Sequence, residues 1–400
     1  MTRKIMVTYQ LFQMLHILPM SLIFTTYVLF LKSNGLTLAE IGIVNAIFGI
    51  SITMFEIPTG VVADVFGRRR SVLLGLFIFI PSHFIYWLGY SMPMFLLAEV
   101  TSALAFCFIS GAMDAWLRDS LDFYEVKYDF ARLINTGFIM NRVGTIVGGL
   151  IGSVIAWYDL RIGWLLATIL QIIVFVWFLF KMQPEEYFQP LKFQWLKIWS
   201  QMKQVARDSF VHGLKTRIVW LLTIISTLYL FASQPINMQW TIYLEEKISL
   251  KIIGVMWILI SLTSMAGAWV VGRIMKHYHD ERQIMTWANL VLGVSLVLMI
   301  LSQNIYWVLA LFLVHEAGRG MFPAAQKAYL HDHIPSDKRA TVASFASMVE
   351  HLGMAIGWLG AGVLARNIGI IPTWQLAGVI FLVGILLIWK LPLNNVISKL

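Results

Sequence analysis

The sequence predicts an all-α integral membrane protein, with twelve transmembrane helices in two six-helix pseudo-repeats. Three observations predict it. The 400-residue chain is 59% hydrophobic and only 13% charged, with a mean hydropathy of +0.76, whereas a soluble domain carries about 25% charged residues. Apolar runs long enough to span a bilayer, about 20 residues each, follow one another with short polar connections. Segments of the first half recur in the same order in the second.

The expected spans are 5–31, 37–62, 71–90, 93–117, 133–157, 161–181, 217–244, 250–276, 284–303, 305–330, 341–366 and 371–391. They nearly exhaust the chain and leave no room for a soluble catalytic domain. The first follows Met-Thr-Arg-Lys, is too long for a signal h-region and has no clear small-x-small cleavage site, so it is read as retained. Of the 30 Lys and Arg, 22 fall in segments placed inside when the N-terminus is inside; five (Lys32, Arg161, Lys247, Lys251, Arg366) fall outside and three (Arg142, Arg319, Lys327) within spans. This bias puts both termini in the cytoplasm. It also accounts for the net charge of +9 without a nucleic-acid partner. The single cysteine, Cys107, excludes an intrachain disulfide.

The domains expected are an N-terminal bundle, 1–181, a cytoplasmic linker, 182–216, and a C-terminal bundle, 217–400. In the linker, Leu191, Trp195, Trp199, Met202, Val205 and Phe210 recur at helical spacing, with Lys192, Lys197, Lys203 and Arg207 on other faces. This is the pattern of a basic amphipathic helix on the bilayer surface. The halves repeat: Ile41-Gly42-Ile43-Val44 recurs as Ile253-Gly254-Val255-Met256, a shift of 212 that also lays Arg70 over Arg282. Gly144-x3-Gly148-x3-Gly152 recurs as Gly353-x3-Gly357, a shift of 209.

Spans 2 and 3 are joined by Gly60-Val-Val-Ala-Asp64-Val-Phe-Gly67-Arg68-Arg69-Arg70. The glycines permit a tight turn, the arginines hold this end inside, and Asp64 needs a partner from an arginine or a helix N-terminus. The pattern resembles the loop between helices 2 and 3 of the major facilitator superfamily of secondary transporters, with Val65 where that family usually has a basic residue. The resemblance implies the major facilitator fold and an inner gate. In that gate Arg68 or a neighbouring arginine pairs with Asp114 or Asp119, which flank Arg118 at the end of span 4, and Asp64 faces the start of span 11. In the second copy of the loop Lys276 replaces the Asp and His279 the second Gly, so the two halves differ at this gate.

Among subfamilies the chain resembles bacterial drug:proton antiporters, including tetracycline-type exporters. That implies a multi-pass protein of the bacterial inner membrane, working as a monomer on a small-molecule substrate, with protons as the coupling ion and the proton gradient as energy source. Two positions depart from the subfamily. Leu96-Leu97-Ala98-Glu99 carries an acid near the place of its span-4 arginine, and Val147-Gly148-Gly149 lacks the proline of its span-5 signature. Small-xxx-small spacing is also the general pattern of close helix packing.

Charges inside spans cost about 2.5–3.5 kcal/mol each on insertion scales, and face a cavity or one another. His16, Arg142, Glu316, Glu350 and His351 fall roughly 15 Å from a span end by helix rise, near the midplane; Arg319 also lies within a span. Asn141-Arg142 and Glu350-His351 stand at matching places before the glycine ladders of the two repeats. A central substrate cavity needs such groups; the alternative is an Arg142–Glu350 or Arg142–Glu316 pair that only holds the halves together. Glu56, beside Pro58 near the end of span 2, joins Glu316 and Glu350 as a candidate proton carrier, or is a buried carboxyl bonded to a neighbouring helix. Gln234-Pro235, with Asn237 and Gln239, marks a broken span 7 lining the cavity; Pro19 with His16 does the same in span 1. The 16 Trp and 26 Phe offer an adaptable substrate surface, but most are assigned to lipid-facing, core or interfacial positions.

His277-x-His279 and His331-x-His333 lack an acid or Cys cluster, so no metal site is expected. No Gly-x-x-x-x-Gly-Lys-Ser/Thr loop occurs, and no cofactor is expected. Two other readings stand beside drug export. One is a carrier for an anionic or zwitterionic metabolite, a siderophore or a peptide; the other is a flippase for a lipid-linked substrate or a membrane scaffold.

Overall fold

Backbone groups removed from water must be satisfied within their own segment, so an apolar run of spanning length folds as a helix. The computed structural model describes residues 2–125, 128, 130–188, 217–248, 251–275, 280–301, 304–333 and 339–392, and among them every regular element is helical. In order these are α1 (Thr2–Leu15), α2 (Ile17–Phe24), α3 (Tyr27–Ser33), α4 (Leu38–Phe66), α5 (Arg68–Leu88), α6 (Met92–Ile109), α7 (Ala112–Phe123), α8 (Phe130–Ile155), α9 (Leu160–Lys181), α10 (Arg217–Glu245), α11 (Lys251–Ile274), α12 (Glu281–Leu298), α13 (Ile305–His333), α14 (Arg339–Ile368) and α15 (Ile370–Ile388). The amphipathic segment expected in the linker lies, past Phe188, outside the described residues, as do His277, His279 and the side chains of 331–345.

Eleven stretches of the described residues are long and apolar enough to cross a membrane: α1 to α3 together, α4, α5, α6 with α7, α8, α9, α10, α11, α12, α14 and α15. At the remaining expected place stands α13, a helix of 29 residues whose apolar run is interrupted by His315, Glu316 and Arg319.

The chain divides into two compact units. The first comprises Met1–Leu36, Ile47–Lys203 and Ser249–Val255, the second Thr37–Ala46, Gln204–Ile248 and Met256–Leu400. In the first, α5 lies along α6 and α9, and α8 along α1 and α2. Its interior is aromatic, with Tyr9, Phe12, Phe30, Tyr86, Phe95, Trp116, Trp164 and Phe178 all buried. In the second, α10 lies along α14 and α15, and α12 along α13 and α15.

The first span is broken twice, at His16 and at Thr25–Thr26. Pro19 has no N–H to return to the preceding turn, and the His16 ring bonds back to Phe12 O at 2.7 Å. Span 7 behaves differently from the expectation: α10 runs unbroken through Pro235. The carbonyl that Pro235 leaves without its helical donor, Phe231 O, is covered by the neighbouring α14, where a Cβ on Gly357 would come within 2.7 Å of it. The other internal prolines behave alike: α4, α5 and α13 run unbroken through Pro58, Pro81 and Pro323.

The repeated glycines do the same work in each unit. Side chains at Gly144, Gly148 and Gly152 would collide with the backbone or side chains of Met14, Ile17, Leu18, Ser21 and Leu22; at Gly353 and Gly357 they would collide with Thr227 and Phe231. Span 5 thus presses on span 1 as span 11 presses on span 7. Span 4 carries a break the sequence did not announce: Ser110 and Gly111 separate α6 from α7, with Gly111 at φ +72°.

Candidate functional site

The arginine loop is shorter than the apolar pattern suggests. Only Gly67 lies outside a helix; Gly60 and Asp64 occupy the last turns of α4, and Arg68, Arg69 and Arg70 the first turn of α5. Three cations at a helix N-terminus oppose the helix dipole, so the arrangement needs an acid there. Glu185, which follows α9, supplies it: Oε1 accepts the Arg68 backbone N–H at 3.0 Å and Oε2 that of Arg69 at 2.9 Å. Gly67 has φ +99° and ψ 147°, a region that side chains exclude, and a Cβ there would stand 2.6 Å from Glu185 Oε2.

Arg68 pairs with Asp64 at 2.5 Å and reaches Asp119 at 3.9 Å. Of the two acids offered by span 4, Asp119 is the one near the loop. Asp114 instead accepts the hydroxyl of Tyr9 at 2.8 Å, and the Arg118 guanidinium lies 5.0 Å from the centre of the Phe130 ring. Arg69 turns away to the end of α9, donating to Leu179 O at 2.8 Å and Met182 O at 3.0 Å. A cleft of about 480 Å³ opens here, lined by Asp64, Arg68, Asp119, Asp122, Glu185 and Tyr187 among others. Burial pushes the Tyr187 phenol above its ordinary range, so it stays a donor, toward Glu185 Oε1 at 3.3 Å. The start of span 11, the partner expected for Asp64, carries side chains outside the described residues.

The second unit keeps this architecture with other residues. Asp280 caps α12 through Oδ1 to the Arg282 N–H at 3.1 Å, and Arg282 Nη1 donates to Leu391 O at 2.5 Å. By its contacts Arg282 therefore corresponds to Arg69, one residue from the register the sequence repeat suggested.

The in-span residues fall into local groups. In the first unit Asn141 donates to Gln13 O at 3.2 Å, His16 stacks on Phe12 of its own span at 4.6 Å, Arg142 is exposed, and Glu56 is half-buried on α4, which runs unbroken through Pro58. In the second, Glu316, only 3% exposed, binds Arg319 one turn on at 2.9 Å, and Tyr229 donates to Arg319 O at 3.2 Å. Gln326 joins Ser226 and stands 3.5 Å from Glu350; Gln234 and Asn237 bond to each other at 3.3 Å; His351 folds back on Ser347 O at 2.7 Å. Glu316, Arg319, Tyr229, Gln326 and Glu350 thus form a partly exposed polar strip shared by α10, α13 and α14. Sequence reasoning missed Glu185, although the Pro184-Glu185-Glu186 run after span 6 marks acids beside the arginines, and missed that Glu99 is held by tyrosines from two other helices. Among the described residues no group of three or more His, Cys, Asp or Glu suited to a metal ion occurs.

The sequence matches the family profile of the Major Facilitator Superfamily over residues 11–285 and 222–398. It is 23% identical over 356 residues, 87% of this chain and 86% of the relative, to the quinolone resistance protein NorA of Staphylococcus aureus (strain MRSA252). It is 25% identical over 168 residues, 42% of this chain and 41% of the relative, to the uncharacterized MFS-type transporter YxaM of Bacillus subtilis (strain 168). Among solved structures it resembles the nucleoside transporter NupG, with a TM-score of 0.78, 15% identity and coverage of 97% of this chain and 98% of that one. A POT family transporter in complex with a thioalcohol-conjugated peptide gives 0.75, 15% identity and coverage of 96% and 94%. At these identities the structural likeness speaks to the fold. The profile match, which covers nearly the whole chain, speaks to the family: this protein is a multi-pass membrane transporter of the major facilitator superfamily.

Proposed function

We propose that the protein is a secondary active transporter that exports drugs or other small amphipathic molecules in exchange for protons, by alternating access, from a bacterial inner membrane with both termini in the cytoplasm. The observation that carries this reading is the match to a quinolone resistance protein over 87% of the chain. The polar strip of the second unit supports it. Glu316 is buried against Arg319, and Glu350 lies beside Gln326, and these two carboxylates are the candidate proton carriers of this unit. Asp64, Arg68 and Asp119 serve as an inner latch.

Inverted vesicles carrying the protein, energised with a proton gradient and offered a panel of dyes and antibiotics, test the reading. Uptake that collapses with the gradient supports it; absence of gradient-driven flux for every panel member refutes it. Arg319, a guanidinium inside a span, favours one other reading, a carrier for an anionic or zwitterionic metabolite. Flux of such a solute, with none of any dye or antibiotic, would select it.

A further inference from the structure

Glu99 stands two turns into α6 and is 7% exposed. Its Oε1 accepts the hydroxyl of Tyr27, on α3, at 2.7 Å, and also the hydroxyl of Tyr86, on α5. The two phenol oxygens are 3.3 Å apart. Tyr86 stacks face to face on Trp164 of α9, ring centres 3.9 Å apart, and Phe30 and Phe95 pack on it from other sides. The titratable groups facing this cage are Tyr27, Tyr86 and His83. His83 lies one turn from Tyr86 against the same Trp164, is 2% exposed, and its Nδ1 has no hydrogen-bond partner. Arg161 of α9 lies beyond the Phe30 ring, 5.3 Å from its centre, and its guanidinium donates to Trp87 O, Gly89 O and Asn34 Oδ1. Among the described residues no cationic side chain is paired with Glu99.

A carboxylate buried without a cation is expensive, and a buried polar group must be hydrogen-bonded. Here both phenol hydrogens converge on one oxygen. Such a carboxyl can be held as the neutral acid, with Oε1 as the accepting carbonyl, or as a carboxylate whose Oε1 takes both donors. The same two donors remain in place to hold the carboxylate once the proton has left. A group whose accepting oxygen keeps its donors in either state, in a span where charges are rare, is a functional group rather than a filler.

We propose that Glu99 is a proton-binding site, caged by Tyr27 and Tyr86, whose proton is exchanged during the transport cycle. The proposal rests on the proton-driven reading above and names a carrier outside the polar strip of the second unit. With the arginine loop inside, Glu99 lies about 10 Å from the outer end of its span by helix rise, so it is loaded from the outer side. The step is a transfer of H⁺ alone: the acid forms on uptake, and the carboxylate, held by both phenols, forms on release to the inside. Ser102, one turn further along α6 and bonded to Ser82, continues the polar file inward.

Two measurements on the full-length protein test this. In reconstituted membranes, infrared difference spectra between low and high pH should show the carbonyl stretch of a protonated carboxylic acid. Glu99→Gln should remove that band, and Tyr27→Phe and Tyr86→Phe should each move it to higher frequency. In vesicles, Glu99→Gln should lower gradient-driven flux of ethidium or a fluorescent quinolone more than tenfold. Counterflow of the same probe without a gradient should stay within twofold, because Gln keeps the volume and the accepting oxygen. An infrared band unchanged in Glu99→Gln, or gradient-driven flux equal to the parent protein, overturns the proposal. If the parent protein itself moves no probe on a gradient, the export reading fails separately, and the infrared band alone then decides for or against Glu99.

Discussion

Glu185 and Arg69 satisfy each other's helix ends. The Glu185 carboxylate accepts the Arg69 backbone N–H at 2.9 Å at the start of α5, while the Arg69 guanidinium donates to Met182 O at 3.0 Å at the end of α9. Helix termini leave such groups without intrahelical partners, and this clasp pairs the open donors of one helix with the open carbonyls of the other. Replacing Glu185 by Ala should cost about 1–3 kcal/mol, the penalty for stranding hydrogen-bonding groups of this kind. Thermal unfolding in detergent should show a lowered midpoint, with Glu185→Gln falling between parent and Ala.

The two motif glycines should separate cleanly. Gly67 has φ +99° and no room for a Cβ, whereas nothing lies within 4 Å of a Cβ on Gly60, which is in a helix. Gly67→Ala should destabilise by about 1–3 kcal/mol. Gly60→Ala should leave stability unchanged or raise it by about 0.5–1 kcal/mol through helix propensity. Comparing the two unfolding midpoints checks both signs.

Asp64 and Arg68 form a pair whose side chains are 57% and 28% exposed. Exposed pairs contribute about 0–1 kcal/mol, so Asp64→Asn should leave the unfolding midpoint and the protein level unchanged. If the latch reading holds, transport should nevertheless fall. Normal transport by this variant refutes the latch.

The Glu316–Arg319 pair should behave as a buried one. Glu316 is 3% exposed, and removing its partner leaves a carboxylate in the interior. Arg319→Met should then cost about 3–5 kcal/mol, and adding Glu316→Gln to it should recover much of the loss. A double variant no more stable than Arg319→Met would show that the two residues are not coupled.

The neutral Glu350→Gln addresses coupling in the second unit. Because Glu350 stands 3.5 Å from Gln326 Nε2, an amide preserves the shape of the strip. A coupling role predicts loss of gradient-driven flux with counterflow retained. Full gradient-driven transport would remove Glu350 from the proton carriers.

Much of this architecture is legible in the chain alone. Period, length and polarity place the spans, since a helix is the only economical form for an apolar run in a membrane. The glycine ladders are readable as close packing, because a missing Cβ has few other uses at that spacing. The arginine loop points to the family, as its residues are constrained by backbone geometry and charge, both local properties. Local reasoning fails where a distant segment intervenes. Pro235 signals a broken helix, yet α10 is continuous, with Gly357 of α14 packed over the carbonyl that the proline leaves without its donor.

By itself, then, the sequence determined what each segment must be: which runs cross the membrane, where charge is forbidden, which glycines press on a neighbour. Only the tertiary structure decided who meets whom. It brought Arg68 to Asp119 and Asp114 to Tyr9, set Glu185 on the start of α5, and closed two tyrosines from different helices around Glu99. The physical reason is range. Hydrophobicity and backbone preference act over one helical turn, and period reveals them. Hydrogen bonds and ion pairs join residues as much as 139 positions apart, and no pattern along the chain encodes which of several equivalent acids or donors the packing brings within about 3 Å.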